Sequence, residues 1–88
     1  MVESTIVNTA YERGVILRRM IRRELLRREL ARLPAPSAVA LAALLEVPRS
    51  TVQYHVGTMV RRGWVTTAGG RTGGVFLTDL GREVTPTD

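Results

Sequence analysis

The residues with the clearest chemical potential lie between Pro48 and Arg61, where polar side chains alternate with apolar ones. In a helix, which turns by about 100° per residue, this spacing separates an apolar side from a polar side. Guanidinium and carboxamide groups form paired hydrogen bonds with guanine and adenine edges, and a threonine methyl can contact thymine. The stretch therefore predicts a surface that reads double-stranded DNA. The candidate contacts are Pro48, Arg49, Ser50, Thr51, Gln53, Tyr54, Thr58 and Arg61.

A second group of candidate contacts lies at a glycine-flanked tip, residues 69–74. Arginine is favoured in a narrow minor groove because the negative potential is strong there. Arg71, with Thr72 beside it, is therefore predicted to contact DNA. The alternative interpretation is a solvated hairpin tip.

The apolar residues of the same region are predicted to form the core. The buried side of the first stretch is expected to consist of Val52, Val56, Met59 and Val60. His55 lies at the edge of this side, as a packing residue expected to donate to a phosphate or a backbone carbonyl. Trp64 and Phe76 are expected to anchor the hairpin to the helices.

The chain offers little material for catalysis. It has no cysteine, and His55 is its one histidine. No carboxylate pair faces a nucleophile, and the glycine-rich stretch lacks the lysine and the following helix of a phosphate-binding loop. We therefore expect no enzymatic activity, no metal and no cofactor. Since the sequence contains no apolar run of membrane length and no signal-peptide pattern, we expect a cytoplasmic protein without membrane contact.

Breakers and caps indicate the helices that must position these residues. A long helix is predicted over residues 5–33, and prolines end it at 34–36. A second helix is predicted at about 38–45 with Ser37 as its N-cap. A third is predicted at about 48–62, with proline in its first turn and glycine after its end.

Two β-rich stretches follow, at residues 64–67 and 75–77, and Thr78 is predicted to cap a short last turn at 79–84. A short helix, a tight turn and a second helix form a helix-turn-helix, whose second helix enters the major groove. The predicted fold is mainly α with a small β-hairpin (α+β), a winged helix-turn-helix with an N-terminal helical extension. The predicted domains are the extension (1–17), the winged helix-turn-helix (18–84) and a disordered tail (85–88).

The predicted first helix carries most of the positive charge. The net charge is +5 and all 13 cations are arginines; residues 13–32 hold eight of them against two glutamates. Some arginines are expected to pair within the helix, and others to contact phosphates without sequence preference. The expected ion pairs are Glu24 with Arg27 and Arg28, and Glu29 with Arg32.

The apolar residues of this helix fall on two nearly opposite faces. We interpret the earlier face as a dimerisation surface and the later one as packing against the chain's own core. The alternative is a break into two helices at Gly14 or Glu24. The earlier face consists of Ile6, Ala10, Leu17, Met20 and Ile21, and the later one of Leu26, Leu30 and Leu33.

Three segments, 47–56, 62–65 and 77–84, resemble the recognition-helix region, the start of the wing and the segment after the wing in ArsR/MarR-type winged helix regulators. The resemblance implies a homodimeric transcriptional regulator, expected to be a repressor. Its recognition helix, at about 48–62, would enter the major groove, and its wing, at 64–77, the minor groove. Pro48 departs from the family pattern, since a capping serine is usual there.

Two other functions remain open from the sequence. A winged helix can serve in protein–protein assembly, because fold alone does not determine function. A DNA-binding protein outside transcription, in plasmid partition, replication or phage architecture, would use the same residues. Whether a small-molecule effector binds is left open as well.

Overall fold

The computed structural model describes residues 2–69 and 73–84, with side chains described from Arg13 onward. Three helices are followed by a two-stranded antiparallel hairpin and a short last helix, which confirms the predicted fold class. The elements are α1 (Val2–Leu30), α2 (Ala38–Leu45), α3 (Arg49–Arg61), β1 (Val65–Thr67), β2 (Val75–Leu77) and α4 (Asp79–Glu83).

The N-terminal segment is one helix, without a break at Gly14 or Glu24. It ends where Arg32 adopts a left-handed conformation (φ 57°) and the Leu33 N–H donates to the Arg28 carbonyl at 2.8 Å. In the described part of the chain, no helix combines the length and the apolar character that crossing a membrane requires.

The predicted division of α1 into a dimerisation face and a core face assigns three residues to the wrong face. Ile21, assigned to a dimer surface, is fully buried in the chain's own core beside Leu25. Leu30 is 77% exposed and Leu33 46% exposed, although both were expected to face the core. Leu33 lies beyond the helix, so rotation by about 100° per residue no longer describes its direction. Of the three later leucines, Leu26 packs against the core as expected.

Local signals at both ends of α2 position the helix-turn-helix. The Ser37 hydroxyl accepts a hydrogen bond from the Ala40 N–H at 3.1 Å, which satisfies one of the free amides of the first turn. At the other end, Glu46 adopts a left-handed conformation (φ 57°) and its N–H donates to the Ala42 carbonyl. This closure turns the chain within three residues, so that α3 starts at Arg49.

The hydrophobic core lies where α1, α2, α3 and the hairpin meet. Each of these elements contributes at least one side chain that is less than a tenth exposed. The inner side of α3 therefore packs in one core with residues of α1, α2 and the hairpin. Its members are Ile21, Leu25, Leu41, Ala42, Val52, Val56, Met59, Val65, Val75 and Leu77.

Strand β2 alternates between buried and exposed positions, whereas β1 is buried only at Val65. Val65 pairs with Leu77 and Thr67 with Val75, and these pairs place three buried apolar side chains on one face. Phe76 between them points outward and is 44% exposed, so its predicted role as a core anchor is wrong. Successive residues of a strand point to opposite faces, which puts Phe76 opposite its two buried neighbours.

The short helix α4 is held against Trp64, the residue before β1, and against α1. Thr78 caps it as predicted, accepting from the Gly81 N–H at 3.0 Å. A Cβ at Gly81 would lie 1.9 Å from the Trp64 carbonyl oxygen, so only glycine permits this approach. From α1, the Arg22 guanidinium donates to the carbonyls of Gly81 (2.7 Å) and Arg82 (2.6 Å).

Candidate nucleic-acid interface

Helix α3 has a buried apolar side and an exposed polar side. Val52, Val56 and Met59 are buried as predicted, but Val60 is 42% exposed and His55 is buried instead. At 100° per residue, Val60 and His55 both lie about 70° from the mean direction of Val52, Val56 and Met59, on opposite sides, so the helical spacing alone does not decide which of the two is buried. The remaining surface of α3 carries the polar groups and is open.

The N-terminus of α3 is free of a side-chain cap. Pro48 is the N-cap residue, and its carbonyl accepts from the N–H groups of Thr51 (3.0 Å) and Val52 (3.3 Å). A capping serine would accept a hydrogen bond from a first-turn amide, but Pro48 has no side-chain group that can do so. Amides at a helix N-terminus, together with the helix dipole, favour an anion such as a phosphate. Arg49 and Ser50 are exposed at this same end.

The middle and end of the polar side form a connected surface. Gln53 is exposed, and Tyr54 is 65% exposed. The Thr58 hydroxyl donates to the Tyr54 carbonyl at 3.2 Å and accepts from Arg61 Nη2 at 3.1 Å. Because its hydroxyl is engaged within the helix, Thr58 offers mainly its methyl group to a ligand.

A cleft of about 450 Å³ separates α3 from the hairpin. Gln53, Gly57 and Arg61 line it from the helix, and Thr67 and Gly73 from the hairpin. The sequence prediction included neither Thr67 nor Gly73. Gly73 lies within the predicted tip and Thr67 two residues before it, so their closeness to the predicted contact Arg71 could have indicated them.

The two residues predicted at the wing tip, Arg71 and Thr72, lie outside the described residues. Their role stays a prediction. On the described part of the hairpin, Thr66 and Thr67 are exposed, and Thr67 lines the cleft.

Several arginines of α1 form hydrogen bonds or ion pairs with other groups of the protein. Arg27 and Arg28 both bind Glu24, at 2.7 and 2.8 Å, which confirms the predicted pairs. These hydrogen bonds and charges, above all those of Arg27, lower the pKa of Glu24 to about 2.

The second predicted pair in α1 is wrong. Glu29 binds Arg82 of α4 through two hydrogen bonds of 2.7 and 3.0 Å instead of pairing with Arg32. Arg82 lowers the pKa of Glu29 as a consequence. Arg32 lies beyond the end of α1 in a left-handed conformation, so the spacing within a helix no longer brings it beside Glu29.

His55 is a packing residue, as predicted, and the structure gives it a partner that the sequence prediction did not include. Its Nδ1 lies 3.1 Å from Arg18 Nη1 of α1, and both side chains are buried. Among the described side chains, no group of three histidines, aspartates or glutamates could hold a metal ion.

The predicted dimer surface is open only in part. Met20 is 41% exposed and Leu17 is half-buried, whereas Ile21 belongs to the core. Ile6 and Ala10 lie outside the described side chains. Ile16, which the sequence prediction did not include, is 52% exposed and lies four residues before Met20 on α1.

A helix-turn-helix with a wing, whose second helix presents hydrogen-bonding side chains, defines a DNA-binding domain of the transcription-regulator class. The chain matches the IclR helix-turn-helix domain over residues 24–69, more than half of its 88 residues. It belongs to the IclR helix-turn-helix family. No curated protein and no solved structure matches the chain.

The matched region runs from the last turns of α1 through α2, α3 and β1. The resemblance inferred from the sequence is therefore confirmed at the level of a helix-turn-helix transcription regulator. The family identified is IclR, and assignment to the ArsR/MarR type is not confirmed. Residues 77–84, part of that resemblance, lie outside the match.

Proposed function

We propose that this protein is a sequence-specific, dimeric repressor that reads double-stranded DNA with the exposed side of α3. The observation that supports this most directly is the division of α3 into an apolar inner side and a polar outer side. The inner side is fixed by the core, so the outer side is presented as a rigid surface. In the described part of α3, Tyr54 is the one exposed aromatic side chain, whereas protein-binding surfaces are usually built on several such anchors.

In this proposal, α3 lies in the major groove with its N-terminal end towards a phosphate. Arg49 binds that phosphate or a guanine edge, and Gln53 pairs with adenine. The DNA backbone beside the groove passes along the cleft between α3 and the hairpin, which Arg61 and Thr67 both line. Arg71 at the wing reaches the flanking minor groove.

Two subunits associate in this proposal through the exposed apolar part of α1, around Ile16 and Met20. A two-fold dimer places the two α3 helices about 34 Å apart, in successive major grooves. Repression follows because the bound dimer blocks access of the polymerase to the promoter. No catalytic step, cofactor or membrane contact is part of this function.

Selection from a randomised duplex library at two salt concentrations tests the proposal. We expect an inverted repeat whose half-sites lie about ten base pairs apart. Gln53→Ala should lower discrimination at one base position by about 1–3 kcal/mol without changing stability. Salt-sensitive binding without a motif would indicate an architectural DNA-binding protein. Absence of binding at low salt would favour the protein-assembly function.

The proposed dimer is tested separately by measuring the molecular mass of the protein in solution. Met20→Arg should give a monomer, because a charge would be placed within an apolar contact. Leu44→Arg on α2 is the matched control: Leu44 is 50% exposed, and its replacement should leave the mass unchanged. If Met20→Arg keeps the wild-type mass, the α1 interface is refuted.

A further inference from the structure

A buried arginine connects α1 to the inner side of α3. Arg18 is only 7% exposed, and its Nη1 lies 3.1 Å from Nδ1 of His55, which is 8% exposed. A Cβ at Gly14 would lie 3.2 Å from Arg18 Nη1 and 3.3 Å from His55 Cε1. The missing side chain at Gly14 thus leaves the space in which the guanidinium and the imidazole meet.

The contact defines the protonation of His55. A guanidinium can only donate hydrogen bonds, so Nδ1 of His55 must accept and the ring proton lies on Nε2. Burial, and then the positive charge of Arg18, lower the pKa of His55 and favour this neutral form. The ring is therefore held in one tautomer and one orientation.

The imidazole of His55 also contacts Tyr54, whose side chain lies on the outer side of α3. The rings of His55 and Tyr54 meet edge to face, with centroids 5.2 Å apart and an interplanar angle of 76°. Tyr54 is 65% exposed among the proposed DNA contacts. Arg18, His55 and Tyr54 thus form a chain of contacts from the buried side of α1 to the exposed side of α3.

We propose that Arg18 is a positioning residue for DNA recognition: by fixing the His55 ring, it orients Tyr54 and so sets base preference at the positions Tyr54 contacts. This inference rests on the proposed function of the outer side of α3. It assigns to α1 a part in sequence reading, although Arg18 itself touches no DNA.

Packing alone gives a poor account of Arg18. A methionine would fill a similar volume without removing a charge from water, and such replacements of buried charges are often neutral or stabilising. The Nε of Arg18 is also buried without a hydrogen-bond partner among the described residues, which is a further cost to folding. What the guanidinium adds over methionine is the directed hydrogen bond to His55.

The test compares binding to the selected DNA site and its single-base variants. Tyr54→Ala identifies the base positions at which Tyr54 discriminates. Arg18→Met should lower discrimination at those same positions by about two- to tenfold, the strength of one aromatic edge-to-face contact. It should leave discrimination at all other base positions unchanged. Arg18→Lys, which keeps a donor of similar reach, should restore discrimination.

Two further measurements make the outcome decisive. In the double variant with Tyr54→Ala, Arg18→Met should have no added effect, because the side chain it orients is gone. Nuclear Overhauser contacts between the Tyr54 and His55 rings should be present in the free wild-type protein and lost in Arg18→Met. If Arg18→Met does not fold, Arg18→Gln replaces it, with the same expectations.

Three results would overturn the inference: unchanged discrimination in Arg18→Met, an equal loss of affinity at every base position, or a loss that adds fully to that of Tyr54→Ala. Failure of the proposed function looks different. In that case the wild-type protein itself shows no base preference, and no variant is needed to see it.

Discussion

Helices α1 and α3 both carry arginines and other polar residues. Several of those in α1 bind other groups of the protein, whereas most of those in α3 face solvent. In α1, Arg18 reaches His55, Arg22 reaches the carbonyls of α4, and Arg27 binds Glu24. In α3, the polar side chains other than His55 point away from the core. Most of the net charge of the chain lies on α1, yet much of it stabilises the fold. The charge of a segment therefore does not by itself identify a DNA-binding surface.

The largest expected effect concerns an α1 arginine that bonds inward. Arg22→Ala should lower the free energy of unfolding by about 2 kcal/mol, because two carbonyls of α4 lose a charged donor. The measurement is urea denaturation followed by circular dichroism. Arg23→Ala removes the same charge from an exposed neighbour and should change stability by less than about 0.5 kcal/mol. Equal losses in both variants would contradict the distinction between inward and outward arginines.

The next effect concerns how each helix contributes to salt dependence. Arg49→Ala at the start of α3 should reduce the slope of log affinity against log salt by about one, the value for one lost phosphate contact. Arg27→Ala changes the net charge equally, but Arg27 is already paired with Glu24. Its slope should match that of the wild type. A reduced slope in Arg27→Ala instead would mean that α1 contacts phosphates after all.

The smallest expected effect is a pH dependence at the contact between the two helices. The pKa of His55 is lowered in the folded protein from 6.5, mainly by burial and then by Arg18. The folded state thus binds a proton less readily than the unfolded state. Stability should be complete above about pH 6.5 and decline as the pH falls below it. Among the described side chains, Arg18 from α1 and Tyr54 from α3 contact the imidazole.

His55→Asn provides the control for this pH dependence. Its side-chain oxygen can accept from Arg18 in place of Nδ1 and does not titrate. Thermal denaturation between pH 8 and pH 5 should show a decline for the wild type and a flat profile for the variant. This window lies above the range in which Glu24, with its pKa of about 2, takes up a proton. A decline of equal size in both proteins would assign the effect to another group.

The correct sequence predictions are those that depend on local signals. The bounds of α2 and α3 and the caps at Ser37 and Thr78 were predictable, because a cap requires only neighbouring residues. The apolar spacing in α3 likewise indicated its polar side. The roles of the individual contact residues stay predictions.

The errors concern residues whose environment is set by distant parts of the chain. Ile21 was assigned to a dimer because the sequence does not reveal which side of α1 meets α2 and α3. Glu29 was paired within α1, although Arg82, 53 residues away, is its partner. Arg18 was not predicted as the partner of His55, since nothing in the sequence indicated a buried arginine from α1.

The linker between α1 and α2 has a consequence for behaviour at high concentration. On one side β2 pairs with β1, and on the other the Val75 N–H donates to the Pro36 carbonyl at 2.8 Å. A free strand edge is a template on which other chains can add strands. Pro34 and Pro36 have no N–H to offer an incoming strand, so the segment beside β2 is itself a poor template. The β2 edge of the described sheet is thereby protected against edge-to-edge aggregation by a segment that belongs to neither strand.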